Sequence, residues 1–425
     1  MNILILGSGG RECTLAWKIS KSKMLSQLFI APGNAGTSEY GINITIKETD
    51  FQAIAKLCKD NKIEMIVVGP EQALADGIQD YFAHDTSLAH IAIIGPSQHG
   101  AKLESSKEFA KKFMKKYDIP TAAYQSFDKT TYKEALEFLK TMPAPYVIKA
   151  DGLAAGKGVV IPDTYEGAEK ALKEMLLDDT FGKAGNRVVI EEFLDGIELS
   201  VFILTDGKDY VLLPEAKDYK RIGEGNTGLN TGGMGSISPV PFANKEFMNK
   251  VIQHIIEPTL VGLQKEKIDY CGFLFLGLIK VNNNPYVIEY NVRLGDPETE
   301  SVIPRVENDL LELFIAAKNK KLHQHQIRIS NKAASTIVMV SGGYPESFQK
   351  GFVIHGITQE TDNMVFHAGT SRNENNEIIS AGGRVLAITS LANSPQEALK
   401  KCYAKAEKIS FNNFHYRKDI GFDIL

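Results

Sequence analysis

Cysteine is scarce in this sequence, and its few cysteines are far apart. Cys13, Cys58, Cys271 and Cys402 are the four in 425 residues, and no two of them form a CxxC pair. This spacing argues against the usual zinc-binding patterns and against a disulfide framework. We therefore expect a reducing, cytoplasmic compartment.

Long apolar runs and an excess of positive charge are also missing. The apolar stretch Gly272–Ile279 is far shorter than the roughly 20 residues that span a bilayer. The apolar start Asn2–Leu6 lacks a basic flank and is too short for a signal peptide. The formal net charge is -4, with no basic stripe, so we expect neither a membrane nor nucleic acid as a partner.

The length and the order of predicted elements indicate three domains of α/β type. A chain of 425 residues is too long for one hydrophobic core. Apolar strands alternate with amphipathic helices in the first hundred or so residues, which predicts a parallel sheet with helices on its faces. A strand-rich and glycine-rich part follows. We place the domains at residues 1–102, 103–327 and 328–425.

The first glycine-rich turn, Gly7–Glu12, follows a predicted strand and opens a helix. Free backbone N–H groups at a helix start suit a phosphate, and Arg11 adds a positive charge there. The turn departs from the dinucleotide-binding fingerprint because Glu12 occupies the place of its third glycine. We expect Gly9, Gly10 and Arg11 to bind a substrate phosphate, and a tight turn without a ligand is the alternative.

Two further positions follow predicted strands of the same sheet. Asn34 comes after the strand Gln27–Ala31, and Glu71 comes after the strand Met65–Val68. Active residues of parallel sheets lie beyond the carboxyl ends of the strands. We therefore expect Asn34 to reach a ribose and Glu71 to line the same substrate site.

The segment Val147–Gly158 carries two lysines and several glycines. It is not a Walker A motif, because its glycines are too closely spaced and no Ser or Thr follows the second lysine. A strand lysine that leads into a glycine-rich loop with another lysine nevertheless suits a polyphosphate, with a solvated hairpin as the alternative. The expected ATP ligands here are Lys149, Gly152, Gly156, Lys157 and Gly158.

An acidic stretch, Ile190–Glu198, follows another hydrophobic strand. The exposed end of a strand offers backbone N–H and C=O groups to an adenine edge. Glu198 has oxygens that accept hydrogen bonds from ribose hydroxyls. Acidic side chains that are simply solvated at a strand end are the alternative.

Glu289 and Asn291 are two residues apart on the predicted strand Pro285–Asn291, so their side chains face the same way. Hard oxygen ligands in this arrangement suit Mg²⁺, or Mn²⁺, held between the protein and substrate phosphates. Arg293 projects in the same direction and suits a carboxylate or a phosphate. An edge strand with one polar face is the alternative.

Together these segments resemble the ATP-grasp superfamily, and within it the family of phosphoribosylamine–glycine ligases, also called glycinamide ribonucleotide synthetases. The resemblance runs nearly end to end. It rests on the segments Gly9–Glu12, Ala31–Thr37, Val68–Glu71, Lys149–Gly158, Asn230–Gly235, Gly295–Thr299 and Arg417–Gly421. The chain departs from the family pattern at Cys13, where His is usual, and at Glu300, where Gln is commoner.

The resemblance implies an N-terminal parallel-sheet domain of the type that precedes ATP-grasp domains. It also implies a central ATP-grasp α+β domain with a mobile lid over about residues 121–194, and a small C-terminal mixed α/β domain. ATP, glycine and 5-phosphoribosylamine would give glycinamide ribonucleotide, ADP and phosphate through glycyl phosphate, in purine biosynthesis. The rivals are another ATP-grasp ligase and a non-catalytic nucleotide-binding protein. We expect a monomer or a weak homodimer.

The resemblance also implies roles for individual residues. Those implied to hold ATP are Lys107, Lys149, Lys157, Glu191, Glu192, Phe193, Leu194 and Glu198. Those implied to lie near glycine are Asp218, Gly232, Gly233 and Arg293. Lys149, Lys157 and Arg293 would take part in catalysis by neutralising charge.

Overall fold

The N-terminal unit is a parallel sheet in the order β3-β2-β1-β4-β5 with helices packed on it. The computed structural model describes residues 1–154, 158–178 and 182–425. The elements of this unit are β1 (Asn2–Gly7), α1 (Gly10–Ile19), β2 (Gln27–Pro32), β3 (Ile42–Asn43), α2 (Phe51–Asp60), β4 (Met65–Val68), α3 (Glu71–Ala75), α4 (Ile78–His84), β5 (Ala92–Ile94) and α5 (Gln98–Ser105). The strand order reverses direction between β1 and β4, so the loops after these strands open into a crevice. The predicted parallel sheet is confirmed.

A small α/β unit follows, with a hydrophobic core of its own. Its antiparallel sheet has the order β6-β9-β7-β8, and its core includes Phe127, Leu139, Ile148, Leu172 and Ile190. The elements of this stretch are α6 (Lys107–Lys116), β6 (Tyr124–Asp128), α7 (Tyr132–Lys140), β7 (Val147–Ala150), β8 (Val159–Val160), α8 (Tyr165–Leu176) and β9 (Arg187–Glu191). The separate core is what an independently moving lid requires.

The central unit is built on an antiparallel sheet in the order β11-β10-β16-β17. Its hairpin β16–β17 turns at Asn282 and Asn283, which both adopt positive φ. The elements are β10 (Ile197–Thr205), β11 (Tyr210–Leu212), β12 (Lys217–Asp218), β13 (Arg221–Gly223), β14 (Thr227–Asn230), β15 (Gly235–Ser238), α9 (Lys245–Val251), α10 (Glu257–Lys265), β16 (Gly272–Val281), β17 (Asn284–Asn291), α11 (Glu298–Val302) and α12 (Leu310–Lys318).

The glycine-rich segment Arg221–Gly235 contains the short antiparallel hairpin of β13 and β14. Gly225, Asn226 and Gly228 adopt positive φ, which lets the chain reverse within a few residues.

The C-terminal sheet extends into the central unit. Its order is β12-β15-β18-β22-β19, so two strands from the glycine-rich part of the chain pair into it. The remaining elements are β18 (Ala333–Ser341), β19 (Asn363–His367), β20 (Thr370–Arg372), β21 (Ile378–Ser380), β22 (Arg384–Ala392), α13 (Pro395–Ala406) and β23 (Phe414–His415). This shared sheet couples the C-terminal residues to β12, which carries Asp218. Across the described ranges, no helix combines the length and the apolar character needed to cross a membrane.

Candidate active site

A buried cluster joins the sheet β6-β9-β7-β8 to helix α6. Lys149 on β7 and Lys111 on α6 contact the same oxygen of Glu191 on β9, with Nζ–Oε2 distances of 3.0 Å and 2.8 Å. Burial lowers the pKa of Lys111 to about 8; Glu191 opposes this shift and Lys149 adds to it. Two ammonium groups thus share one carboxylate, and the cluster has one cation more than it needs for pairing. Such an excess suits a polyphosphate.

Sequence reasoning identified Lys149 and Glu191 but missed Lys111. The available signal is that Lys111 follows Lys107 by four residues, which places both on one face of α6. Lys111 Nζ also donates to Thr121 Oγ1 at 2.7 Å, and Thr121 Oγ1 donates to the carbonyl of Val287 at 2.7 Å. These bonds tie the cluster to β17, the strand of the predicted metal ligands.

Glu289 and Asn291 face the same side of β17, as predicted. Asn291 Nδ2 donates to Glu289 Oε1 at 3.4 Å, and Lys107 Nζ lies 3.7 Å from Glu289 Oε2. Burial would raise the pKa of Glu289, but Lys107 and Lys220 outweigh it. With a further contribution from Lys149, these cations lower that pKa to about 2. The carboxylate is therefore ionised at neutral pH and surrounded by positive charge.

The donor set at β17 fits a divalent metal ion. Gly277 lies opposite Glu289, and a Cβ there would be 3.1 Å from Glu289 Cγ, so the glycine leaves room for the carboxylate. In the part of the chain that the structure describes, no group of three or more His, Cys, Asp or Glu side chains is placed to hold a metal. Glu289 and Asn291 would therefore need oxygens from a ligand, which matches a Mg²⁺ bound through one or two protein groups and substrate phosphates.

Arg293 lies between the N-terminal unit and β17. Its Nη2 atom donates to Glu104 Oε1 at 2.7 Å, and its Nε atom is 3.3 Å from Glu71 Oε2. Nη2 also lies 3.3 Å from Asn291 Oδ1. Burial opposes ionisation of Glu71, but Arg293 and Arg11 outweigh it and lower the pKa of Glu71. The predicted residues Glu71 and Arg293 are thus brought together, and Glu104 is an addition.

The acidic residues near Asp218 form a second group, in which Asp218 and Glu298 are buried and Glu198 and Lys220 are partly exposed. Lys220 Nζ pairs with Glu198 Oε2 at 2.7 Å, and Ser200 Oγ donates to Glu298 Oε1 at 3.2 Å. Burial, with an additional contribution from the charge of Asp218, raises the pKa of Glu298 to about 7. Burial also raises the pKa of Asp218. The three carboxyl groups of Glu198, Asp218 and Glu298 outnumber the two lysines near them, Lys217 and Lys220, and this balance favours an amine over an anion as the ligand.

Gly232 and Gly233 pack closely against the residues that follow β17. A Cβ on Gly233 would lie 2.3 Å from Pro297 Cδ, and its φ of +119° is one that side chains rarely allow. Gly232 N–H donates to the Tyr344 hydroxyl at 3.0 Å, and its carbonyl accepts from Arg384 Nη1 at 2.6 Å. The C-terminal unit therefore fixes this predicted glycine-binding segment.

The turn Gly7–Arg11 already has carboxylate partners inside the protein. Gly9 N–H donates to Glu12 Oε2 at 2.5 Å, and Arg11 N–H donates to Asp296 Oδ2 at 3.3 Å. The Arg11 side chain donates to Glu12 Oε1 at 2.6 Å and to the carbonyl of Leu294 at 3.0 Å. The positive charge of Arg11, which was expected to attract a phosphate, is therefore neutralised by Glu12. Phosphate binding by Gly9, Gly10 and Arg11 stays a prediction.

Asn34 is engaged within the protein rather than free for a ribose. Its Nδ2 donates to the carbonyls of Ser8 and His367, each at 2.8 Å. Its Oδ1 accepts from the N–H groups of Gly36 and Thr37 at 2.9 Å and 3.0 Å. Asn34 thus ties the N-terminal turn to β19. A ribose contact would require one of these bonds to be replaced.

The predicted nucleotide segments follow strands β7 and β9. Asp151, at the start of the glycine-rich loop, accepts from Glu108 N–H at 3.0 Å and so holds the loop at the start of α6. Phe193 is 40% exposed and available to stack on a base. The exposed Glu192 and half-buried Leu194 flank it. Ala150 N–H donates to the carbonyl of Gly158 at 2.8 Å, closing the base of the loop that includes Gly152.

Gly156 and Lys157 lie outside the described residues. The expected phosphate contacts of these two residues therefore stay predictions.

Sequence models of known families match all three units. The models match as follows: phosphoribosylglycinamide synthetase N domain, residues 1–104; ATP-grasp (A) domain, residues 105–299; C domain, residues 334–423. The chain belongs to the phosphoribosylglycinamide synthetase family. The predicted family, with its ATP-grasp fold, is thereby confirmed.

Individual relatives agree with the family models. The chain is 45% identical over 427 residues to phosphoribosylamine–glycine ligase of Vibrio vulnificus strain YJ016, covering 99% of this chain and 98% of that protein. It matches a crystal structure of phosphoribosylamine–glycine ligase from Thermotoga maritima with a TM-score of 0.85 and 35% identity, covering 99% of this chain and 100% of that one.

More distant structures share the fold alone. The biotin carboxylase domain of Hydrogenobacter thermophilus 2-oxoglutarate carboxylase matches with a TM-score of 0.74 at 16% identity, covering 97% of this chain and 91% of that one. This chain therefore has the fold of ATP-grasp enzymes. Its particular chemistry depends on the residues of its own family.

Proposed function

We propose that this chain is the ATP-dependent ligase that joins glycine to 5-phosphoribosylamine, giving glycinamide ribonucleotide, ADP and phosphate. The observation that carries the proposal is the position of Arg293. It links Glu71, at the crevice of the N-terminal sheet, to Asn291 on β17, the strand that carries the proposed metal ligands. A substrate in the crevice would therefore lie beside the place where ATP phosphates would bind.

The first half-reaction activates the carboxylate. A glycine oxygen would attack the γ-phosphorus of ATP, the bond from that phosphorus to the β-phosphate oxygen would break, and ADP would leave. Lys149 and Lys107 would neutralise the phosphates, and Arg293 would orient the carboxylate. Glu289 and Asn291 would hold a divalent metal ion, which supplies further charge neutralisation when bound. We propose Mg²⁺, with Mn²⁺ as the alternative.

The second half-reaction forms the amide. The ribosylamine nitrogen would attack the carbonyl of glycyl phosphate, the carbon–oxygen bond to phosphate would break, and the nitrogen would lose a proton. A carboxylate resists such attack until its oxygen becomes a good leaving group, which is why ATP is required. The acidic group around Asp218 and Glu298 would hold the ammonium of glycine through charge.

The limits of the domains and the residues that bind ATP are also part of this proposal. We propose the domain limits 1–102, 103–327 and 328–425, with the lid over residues 121–194, noting that β12 and β15 pair into the C-terminal sheet. ATP would be held by Lys107, Lys149, Gly152, Gly156, Lys157, Gly158, Glu191, Glu192, Phe193, Leu194 and Glu198. A cytoplasmic location and a monomer or weak homodimer stay predictions.

An assay of ADP release tests this function against its rivals. Purified protein receives ATP and Mg²⁺ with glycine, with 5-phosphoribosylamine, or with both, and the products are identified by mass. We expect ADP and glycinamide ribonucleotide in equal amounts only when both substrates are present. A different ATP-grasp ligase would respond to another acid or amine, and a nucleotide-binding protein would release no ADP.

A further inference from the structure

The tail Arg417–Asp423 holds the chain segment that carries Asp218. Arg417 is fully buried, and its Nε and Nη2 donate to the two oxygens of Asp419, both at 2.8 Å. Its Nη1 donates to the carbonyl of Arg221 at 3.1 Å and to Asn226 Oδ1 at 3.0 Å. One end of the tail therefore binds the β13–β14 hairpin.

The other end of the tail binds the residues on either side of Asp218. Asp423 Oδ2 lies 3.1 Å from Lys217 Nζ, and Asp423 Oδ1 accepts from the Tyr219 hydroxyl at 2.9 Å. Lys217 Nζ also lies 4.4 Å from the centre of the Tyr219 ring. Lys217 and Tyr219 are both buried, so each depends on Asp423 for a polar partner.

Asp218 points away from this contact because side chains alternate along a strand. Its carboxyl lies among the charges of Lys220, Glu198 and Lys217, on the side of the proposed glycine site. Strand β12 consists of only Lys217 and Asp218 and pairs on one side with β15. Backbone hydrogen bonds also hold the residues on either side, with Ala216 paired to Ser200 and Tyr219 N–H donating to the carbonyl of Gly235 at 3.0 Å. The side-chain contacts of Lys217 and Tyr219 add to this pairing, and they connect both neighbours of Asp218 to the tail.

We propose that Asp423 is a positioning residue for the glycine site, acting through Lys217 and Tyr219 on Asp218. The proposal rests on the proposed function, which places glycine at Asp218. It assigns the last residues of the chain to substrate binding, although they lie about two hundred positions from Asp218 in sequence. Asp423 itself touches no reactant.

The test compares kinetic constants of Asp423→Asn with those of the unaltered enzyme. The neutral amide keeps the shape but leaves the Lys217 ammonium without its charge partner. We expect the KM for glycine to rise about fivefold to tenfold, the scale of a lost charge-assisted hydrogen bond, and the KM for ATP to stay within about twofold. Asp423→Glu should recover part of the loss. Tyr219→Phe, which removes only one hydroxyl, should shift the glycine KM in the same direction by less.

The matched control is Asp362→Asn, which removes an exposed ion pair with Lys332 elsewhere in the C-terminal unit. It should leave the KM values for glycine, ATP and 5-phosphoribosylamine unchanged. A purely structural role for Asp423 would lower the melting temperature and the fraction of active enzyme without changing the glycine KM. That result, or equal rises in all three KM values, would overturn the proposal. An unaltered enzyme without glycine-dependent ADP release would instead overturn the proposed function on which it rests.

Discussion

Lys111 and Lys149 share a single carboxylate oxygen, Glu191 Oε2, at 2.8 Å and 3.0 Å. Lys111 lies on helix α6, and Lys149 lies on strand β7 of the sheet β6-β9-β7-β8. Two positive charges in a buried site repel each other, and an anion close to both offsets that repulsion. The shared carboxylate neutralises one of the two positive charges, and the phosphates of ATP would neutralise the other.

Lys149→Met should therefore weaken ATP binding specifically. The methionine fills the same space without charge, and Lys111 remains paired with Glu191, so the fold should persist. We expect the KM for ATP to rise at least about tenfold, with the KM for glycine changed by less than about twofold. Lys112→Met is the control, because Lys112 lies on the exposed face of helix α6, the helix that carries Lys111. Equal KM values for ATP in the two variants would contradict this role for Lys149.

Glu191→Gln should affect stability more than Lys111→Met. The glutamine leaves two buried ammonium groups without a counter-charge, whereas Lys111→Met leaves one intact pair. We expect Glu191→Gln to lower the free energy of unfolding by roughly 3 kcal/mol and Lys111→Met to lower it by less. Urea denaturation at neutral pH measures both values. The reverse order would show that the shared carboxylate is not what stabilises the cluster.

Glu289→Ala should nearly abolish turnover while leaving the fold intact. The carboxylate is held ionised by Lys107, Lys220 and Lys149, and it is the charged member of the proposed metal site. Turnover is measured over a range of Mg²⁺ concentrations, with the exposed Glu246→Ala as the control. Near-normal activity of Glu289→Ala at low Mg²⁺ would remove Glu289 from the metal site.

Glu300→Gln should raise stability, and more so at high pH. Burial first, and then the charge of Asp296, raise the pKa of Glu300 well above its usual value. The folded protein therefore keeps a proton that the unfolded chain releases above about pH 4.5, so this group costs stability as the pH rises. We expect the gain from Glu300→Gln to be larger at pH 8 than at pH 5 by at least about 1 kcal/mol.

The exposed residue Glu346 provides the comparison for Glu300. Glu346→Gln should give the same small change in unfolding free energy at both pH values. If Glu300→Gln also shows no dependence on pH, then Glu300 is not held protonated in the folded protein.

Arg11→Ala separates a phosphate site at the first turn from a purely structural turn. If the phosphate of phosphoribosylamine binds there, its KM should rise by roughly tenfold, while the KM values for ATP and glycine barely change. Stability should also fall, because Glu12 loses its buried partner. A folded variant with an unchanged KM for phosphoribosylamine would place the phosphate elsewhere.

Local patterns in the sequence were sufficient for many elements and for some of the site. The strand Met65–Val68 has the predicted bounds, because its continuous apolar run ends at clear turn residues. The shared face of Glu289 and Asn291 follows from strand alternation alone. The helices α7 and α8 were not predicted, because the apolar strands on either side of them gave the stronger sequence signals.

Contacts between distant segments could not be predicted in the same way. Arg293 meets Glu104 and Glu71 only once three parts of the chain have folded together. Likewise, Asp423 reaches Lys217 through a sheet shared by two units. No periodicity or spacing encodes such pairs, because each depends on the packing of whole domains.

The transfer of oxygen tests the central claim, that glycine is activated as an acyl phosphate, most directly. Glycine with ¹⁸O in both carboxylate oxygens is turned over with ATP and phosphoribosylamine, and the inorganic phosphate is analysed by mass. The account predicts one ¹⁸O atom in each phosphate released, because the oxygen that attacks the γ-phosphorus leaves with it. Unlabelled phosphate accompanying formation of the amide product would contradict the acyl phosphate mechanism.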